Sequence, residues 1–227
     1  MIELDISKFE RQRLGGERWR LASGIGAWSY VPQFGKTYGA INFVINPHLQ
    51  KLNTNSVIIV VPSEIIQKQW YNNIQSYGTQ HHRIAIYTTS YILTNDLQNL
   101  ECTLLVVDEL HKFTTEGLQS IFNGSRINHK YRLGLTGTYP HENYSITSHF
   151  PIVDEITMEE ALQNNWISNF VEYNVLLELK DQDKLKYIAH SIPINEAFEM
   201  FRNKSKLFNP KVIKDDYTLI DACYRGV

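Results

Sequence analysis

Short runs that are apolar at every position alternate along this chain with longer stretches that are apolar on one side only. The runs are Val57-Ile58-Ile59-Val60-Val61, Ile84-Ala85-Ile86-Tyr87, Leu104-Leu105-Val106-Val107 and Leu133-Gly134-Leu135. Each has the length of a strand, is rich in β-branched or aliphatic residues, and ends at a polar, Pro or Gly break. A strand that is apolar on both faces belongs in a sheet covered on both sides, which is the habit of parallel sheets. Ile25–Tyr30 reads as a further strand, followed by a helix over 37–44. Over 64–77 the positions Ile65, Ile66, Trp70, Ile74 and Tyr77 recur at roughly helical spacing, and Pro62-Ser63 ahead of them reads as a strand end and an N-cap. Another helix is expected over 6–21. The alternation predicts an α/β fold whose mostly parallel central sheet is flanked by helices.

The pattern changes after residue 156. Thr157-Met158-Glu159-Glu160-Ala161-Leu162 opens like a capping box and predicts a short helix. The stretch 170–179 alternates like a strand, and from Lys180 the chain is polar, with a break at Asn209-Pro210. We therefore expect one α/β domain over 1–175, then a linker and the start of a second domain over 176–227, with the natural chain continuing past Val227.

Composition narrows the classes. Hydrophobic residues make up 43% and charged residues 20% of the 227 positions, which excludes disorder throughout. The longest wholly apolar run, Val57–Val61, is far short of the roughly 20 residues that a membrane-spanning helix needs. No membrane partner is expected. Two cysteines, Cys102 and Cys223, make neither a disulfide framework nor a Cys-rich zinc site, and point to a reducing intracellular compartment. The net charge is -2, so affinity for nucleic acid must come from local patches.

Three strand ends carry chemistry. After Ile25–Tyr30 comes Val31-Pro32-Gln33-Phe34-Gly35-Lys36-Thr37, a loop leading into a helix. A phosphate-binding loop needs that setting, because successive backbone N–H groups and a helix N-terminus favour an anion. Lys36 would reach the β- and γ-phosphates and the Thr37 hydroxyl would ligate Mg²⁺. The pattern G-x-x-x-x-G-K-[ST] puts Tyr30 at its first glycine, and Pro32-Gln33 stand where glycine is common. Alone, Gly-Lys-Thr is equally a helix start with a surface lysine. The second strand, Leu104 to Val107, runs into Asp108-Glu109-Leu110-His111. Carboxylates at the carboxyl end of a parallel strand face the crevice where ligands bind. There Asp108 would hold Mg²⁺ through water and Glu109 would orient and deprotonate an attacking water. The third strand end is Thr136-Gly137-Thr138-Tyr139-Pro140, which by composition is an ordinary turn.

Together these segments resemble the first motor domain of a superfamily 2 helicase or translocase, over residues 8 to 175. Gly35-Lys36-Thr37 resembles motif I, and Asp108-Glu109-Leu110-His111 the DExH form of motif II. Thr136-Gly137-Thr138 resembles motif III, Ile58-Ile59-Val60-Val61-Pro62-Ser63 with Gln69-Trp70 following resembles motif Ia, and Tyr87-Thr88-Thr89-Ser90 the short motif ahead of motif II. The resemblance is to the branch of restriction, repair and phage recombination enzymes, with which a phage or viral source is compatible. It implies a RecA-like fold, ATP and Mg²⁺ as cofactors, and catalytic roles for Lys36, Asp108 and Glu109. It also implies that Pro32, Gln33, Phe34, Gly35, Lys36 and Thr37 bind nucleotide, that His111, Thr136 and Thr138 couple hydrolysis to movement, and that Pro62, Ser63 and Thr88 meet nucleic acid, DNA before RNA. A second motor domain, in the same chain or a partner, would supply arginine fingers. Pro32 lacks an N–H for phosphate and departs from the family pattern. Rival readings are a duplex translocase of a restriction or remodelling complex, and a non-catalytic nucleotide-binding or DNA-docking module.

The same family places an adenine-reading glutamine upstream of motif I, and Gln12 is the candidate, with a surface helix position as the alternative. Arg11, Arg13, Arg18 and Arg20 beside Glu10 and Glu17 equally suit a solvated helix face. His81-His82 lack a third ligand at metal spacing. Cys102 reads as packing. Arg202, Lys204, Lys206, Lys211 and Lys214, interleaved with Phe201, Leu207 and Phe208, are either a phosphate-binding stretch or a solvated face.

Overall fold

The computed structural model describes residues 7–77 and 81–168. The strand expected over 170–179, the linker over 176–227, the basic stretch from Arg202 to Lys214 and Cys223 lie outside the described residues, as does the side chain of His81. In chain order the elements are α1 (Lys8–Leu21), β1 (Ile25–Tyr30), α2 (Lys36–Ala40), a π-turn (Ile41–Ile45), α3 (Asn46–Lys51), β2 (Val57–Val61), α4 (Glu64–Ser76), β3 (Ile84–Thr88), α5 (Thr89–Thr94), β4 (Leu100–Asp108), α6 (Glu116–Gln119), β5 (Ile127–Thr136), α7 (Tyr144–His149), β6 (Ile152–Ile156) and α8 (Met158–Gln163). The strands form one sheet in the order β3-β2-β4-β5-β1-β6, and every pairing is parallel.

The continuous apolar runs have the reason expected of them: alternate residues serve two cores. Val57, Ile59 and Val61 of β2, with Leu104 and Val106 of β4, join Trp19, Trp28, Ile41, Leu49, Trp70 and Ile74 on one face. Ile58, Val60, Leu105 and Val107 join Phe113, Phe122, Ile146 and Phe150 on the other. At roughly 25 cal/mol per Å² of apolar surface, burial on both faces gives these central strands most of their stability.

Two strands differ from the sequence expectation. β5 begins six residues earlier than the apolar run, because its polar half, Asn128 to Arg132, is held by the backbone ladder to β4 and by Arg132 pairing with Ile25 of β1. β6 has no apolar run at all: Asp154 and Glu155 interrupt it. It forms because Asp154, although buried, is paired with Arg11 at 2.6 Å, with Arg18, and with the Tyr30 hydroxyl at 2.5 Å. The reading of the α1 arginines as a solvated face therefore holds for Arg13, which pairs with Glu10 and Glu17, and for Arg18, which stays exposed while it reaches Asp154, and fails for Arg11, which is buried.

Helix α1 comes close enough to reach that carboxylate because it carries Gly15-Gly16 in its middle. A Cβ on Gly15 would lie 2.0 Å from the Tyr30 hydroxyl, and one on Gly16 would lie 2.8 Å from the Phe43 Cβ. The helix-propensity cost of two glycines, about 1 kcal/mol each, is the cost of this contact.

The helix expected over 37–44 runs on to Lys51 through the π-turn. Pro47 has no N–H to give the Phe43 carbonyl four residues back. The wider turn accommodates it, and the Arg20 guanidinium donates to that carbonyl at 3.0 Å.

Candidate nucleotide site and nucleic-acid face

The carboxyl ends of β1, β5 and β4 lie side by side. Ser29 of β1 is in register with Thr136 of β5, and Asp108 of β4 with Leu135. This brings Lys36, Asp108, Glu109 and Thr136 to one crevice.

The loop Val31–Gly35 turns on two positive φ angles, 66° at Gln33 and 89° at Gly35. Gln33 thus adopts, at a cost of about 1–2 kcal/mol, the left-handed conformation that a glycine would take freely. Three of the loop's carbonyls are held by side chains of α1. The Lys8 ammonium donates to Gln33 O at 2.9 Å, and the Gln12 amide donates to Phe34 O at 2.8 Å and to Gly35 O at 3.4 Å. No side chain caps α2 at Gly35, so the N–H groups at the start of that helix are available to an anion. The Phe34 side chain is fully buried, edge-on to Tyr30 and Trp166, so its part in a nucleotide site is through backbone alone. Pro32 and Gln33 are exposed. Gln12 is only 3% exposed. In this structure its amide braces the loop, which answers neither to a surface position nor to a group facing open space.

The Lys36 ammonium donates to Tyr30 O at 3.2 Å. Burial lowers its pKa, which the charges of Glu109 and Asp108 partly oppose. Asp108 is 6% exposed. Burial raises its pKa, countered first by the Trp70 indole N–H, which donates to Oδ2 at 2.8 Å. Oδ1 accepts from the Glu109 backbone N–H at 2.9 Å. Glu109 itself sits at φ 52°, ψ 50°, a left-handed conformation that costs a non-glycine residue about 1–2 kcal/mol and that turns the chain sharply at the strand end. Its carboxylate lies 3.4 Å from His111 Nδ1, and the same nitrogen lies 3.1 Å from the Thr136 hydroxyl. That hydroxyl is buried, donates to Thr138 O at 2.7 Å and accepts from Thr138 N–H at 3.1 Å. Glu109, His111, Thr136 and the Thr138 backbone form one chain of contacts.

Among the described residues no group of three His, Cys, Asp or Glu side chains could hold a metal ion by itself. One buried carboxylate and the hydroxyl of Thr37, at the second position of α2, form a hard-oxygen set. That set suits Mg²⁺, which keeps several waters and takes its other ligands from phosphate. His82 is exposed and joins no such group. Burial pushes the Cys102 thiol up to about 12, so it behaves as packing.

At the ends of β2 and β3 the residues expected to meet nucleic acid divide. Pro62 and Ser63 are half-buried, and the Ser63 hydroxyl accepts from Ile66 N–H at the start of α4. Thr88, by contrast, is 4% exposed. Its hydroxyl caps α5 through Tyr91 N–H at 3.2 Å and meets Ser90 Oγ at 3.1 Å. The expected surface contact at Thr88 is corrected to a cap: the exposed groups there are Ser90 and Tyr91, whose ring stacks on Tyr87 at 5.9 Å. Sequence reasoning also missed Lys8, the Arg11–Asp154 pair and the Trp70–Asp108 bond. Only the last had a signal, the Gln69-Trp70 pair after motif Ia.

Comparison with known proteins bears on this geometry. Residues 34–141 match the family model of the type III restriction enzyme res subunit. No curated protein matches the sequence. In structure the chain is similar to the Sulfolobus solfataricus SWI2/SNF2 ATPase core in complex with dsDNA, with 20% identity and a TM-score of 0.50 over 62% of this chain and 35% of that one. It is similar to a nuclease-deletion mutant of the Type ISP restriction-modification enzyme LlaGI in complex with a DNA substrate mimic, with 14% identity and a TM-score of 0.53 over 69% of this chain and 18% of that one. It is also similar to the ATP-dependent Type ISP enzyme LlaBIII bound to DNA, with 11% identity and a TM-score of 0.55 over 70% and 16%. The chain thus spans about a third or less of the length of these proteins. These likenesses show the fold, a RecA-like α/β domain with an all-parallel sheet.

Proposed function

We propose that this domain binds Mg·ATP across the ends of β1, β4 and β5 and hydrolyses it when a second motor domain closes on the crevice, driving movement along DNA. The reading rests above all on Lys36, after β1, lying in the fields of both Glu109 and Asp108 at the end of β4, with only β5 between the two strands. In it the loop N–H groups and Lys36 bind the phosphates, Thr37 and Asp108 hold the metal, and Glu109 orients the attacking water and accepts its proton. The bound metal ion neutralises charge developing on the phosphates. His111 and Thr136 relay the state of Glu109 to Thr138, which is exposed. Pro62, Ser63 and Ser90 would lie along the nucleic-acid backbone, contacts that position without reading sequence. The arginine fingers expected of a partner domain are worth about 10³–10⁵ in kcat for phosphate-loop enzymes, so this chain alone turns over slowly. Binding of a fluorescent ATP analogue with Mg²⁺ tests the reading. Lys36→Ala abolishes tight binding if it is right, and equal affinity in the variant refutes it.

Duplex translocation, rather than strand separation, is the form we favour. The res-subunit match and the SWI2/SNF2 core solved with dsDNA support it. An assembly containing the second domain would displace a triplex-forming strand and leave a forked duplex intact. Unwinding of the fork would reverse the preference. The left-handed Gln33, which preserves the loop, argues against a non-catalytic docking module. The free, unreactive Cys102 suits a reducing intracellular setting.

A further inference from the structure

Asp108 has one side-chain donor among the described residues, and it comes from another element. The Trp70 indole belongs to α4 and reaches Asp108 Oδ2 at 2.8 Å across 38 positions of sequence. The donor itself is fixed. Trp70 is 1% exposed and packs in the core with Ile74. Its helix is tied to β3 by the Gln67 amide, which donates to Ile86 O at 2.7 Å. The helix also meets α2, which carries Lys36 and Thr37, through Tyr38 edge-on to Tyr77 at 5.1 Å. The other carboxylate oxygen is taken by the Glu109 N–H. With both oxygens held from fixed directions, the carboxylate has one orientation, and its remaining lone pairs are what a metal-bound water would meet.

We infer that Trp70 is a positioning residue for the metal: its indole N–H aims the Asp108 carboxylate at the Mg²⁺ of a bound nucleotide. The inference rests on the Mg·ATP reading above. A hydrogen bond to a charged acceptor is about twice as strong as a neutral one, and partners that orient ligands typically matter 10–100-fold in metal affinity. Trp70 touches neither substrate nor metal in this scheme; it acts through Asp108.

The test uses the whole 227-residue chain and measures affinity for a fluorescent ATP analogue at rising Mg²⁺ and in EDTA. Replacing the Trp70 indole with benzothiophene keeps the ring shape and removes the N–H. The Mg²⁺ concentration that gives half of the affinity gain should rise roughly tenfold, with affinity in EDTA unchanged. Trp70→Phe should move the midpoint in the same direction. In an Asp108→Asn background the replacement should change nothing further, because the two act as one unit. A midpoint equal to the parent's overturns the positioning role. So does an equal loss of affinity in EDTA, which marks simple packing. A parent chain whose affinity ignores Mg²⁺ overturns the Mg·ATP reading itself, and is distinguishable because no variant is needed to see it.

Discussion

On the β1–β6 flank of the sheet, charged and polar side chains are buried and tied across the whole chain; on the β2–β3 flank, the hydroxyls at the strand ends serve only the helices that follow them. Arg11 reaches Asp154, Lys8 reaches Gln33 and Trp166, and Gln12 reaches Phe34. Ser63 and Thr88 reach no farther than three residues. On the function proposed above, the contrast follows from what each edge would meet. A phosphate loop must be shaped before its ligand arrives, because organising it during binding would subtract from affinity. A surface for a uniform polymer backbone needs only exposed, adaptable groups.

The largest test concerns the crevice between the two flanks. Glu109→Gln should keep Mg·ATP affinity and lose about 10²–10⁴-fold in single-turnover hydrolysis, in an assembly that includes the second domain, since the amide cannot take the proton. Hydrolysis at the parent's rate would remove Glu109 from the base role.

Next is the tie that the β1–β6 flank depends on. Asp154→Ala removes the bidentate partner of buried Arg11 and leaves it only Glu160 at 3.3 Å and the Glu155 carbonyl; breaking a buried pair costs up to about 3–5 kcal/mol. Chemical denaturation should record that loss. A change below about 1 kcal/mol would mean that the two flanks are not built differently.

A smaller effect separates the flanks directly. Gln12→Ala leaves Phe34 O without its donor, at about 1–3 kcal/mol, and should weaken nucleotide binding severalfold, by titration with the same analogue. Ser63→Ala removes a helix cap worth about 0.5–2 kcal/mol of stability and should leave nucleotide affinity unchanged while lowering affinity for a DNA oligonucleotide. Equal effects of both on nucleotide would erase the distinction.

The smallest is a pH effect away from the crevice. Burial pushes the His48 imidazole down to about 4, where its Nε2 lies 2.7 Å from the Thr103 hydroxyl. The unfolded chain binds the proton first, near 6.5. His48 therefore contributes no pH-dependent loss above 6.5, and stability falls as pH drops from 6.5 to about 4. His48→Gln should flatten that slope in thermal melts, and an unaltered slope would assign it elsewhere.

The contrast also explains what the sequence made legible. β2 and β4 are readable because both faces are apolar, so their hydropathy needs no partner to interpret it. β6 was not readable, since Asp154 is compatible with burial only once Arg11 and Arg18 are brought beside it. Gly35, Lys36, Asp108 and Glu109 were legible from type and order, as each ends an element. Gln12 was legible as a candidate but not in its contacts, because a loop carbonyl has no signature in side-chain sequence. Thr88 was misread for a related reason: a hydroxyl after a strand is equally a ligand contact and a helix cap, and only the course of the chain decides. Trp70 and Asp108 are joined by topology alone.

The π-turn at Ile41–Ile45 behaves as a one-residue insertion carried inside a helix. An α-helix turns by about 100° per residue, so the extra position resets the phase of everything after it. With this phase His48 and Leu49 face inward, while Lys36, before it, lies beside Glu109 and Asp108 at the crevice. Deleting one residue between 41 and 45 would tidy the local hydrogen bonding and turn one of these two sets away from its task. The irregular turn is thus a phase adjuster that lets a single rod serve both the crevice at its start and the core at its end.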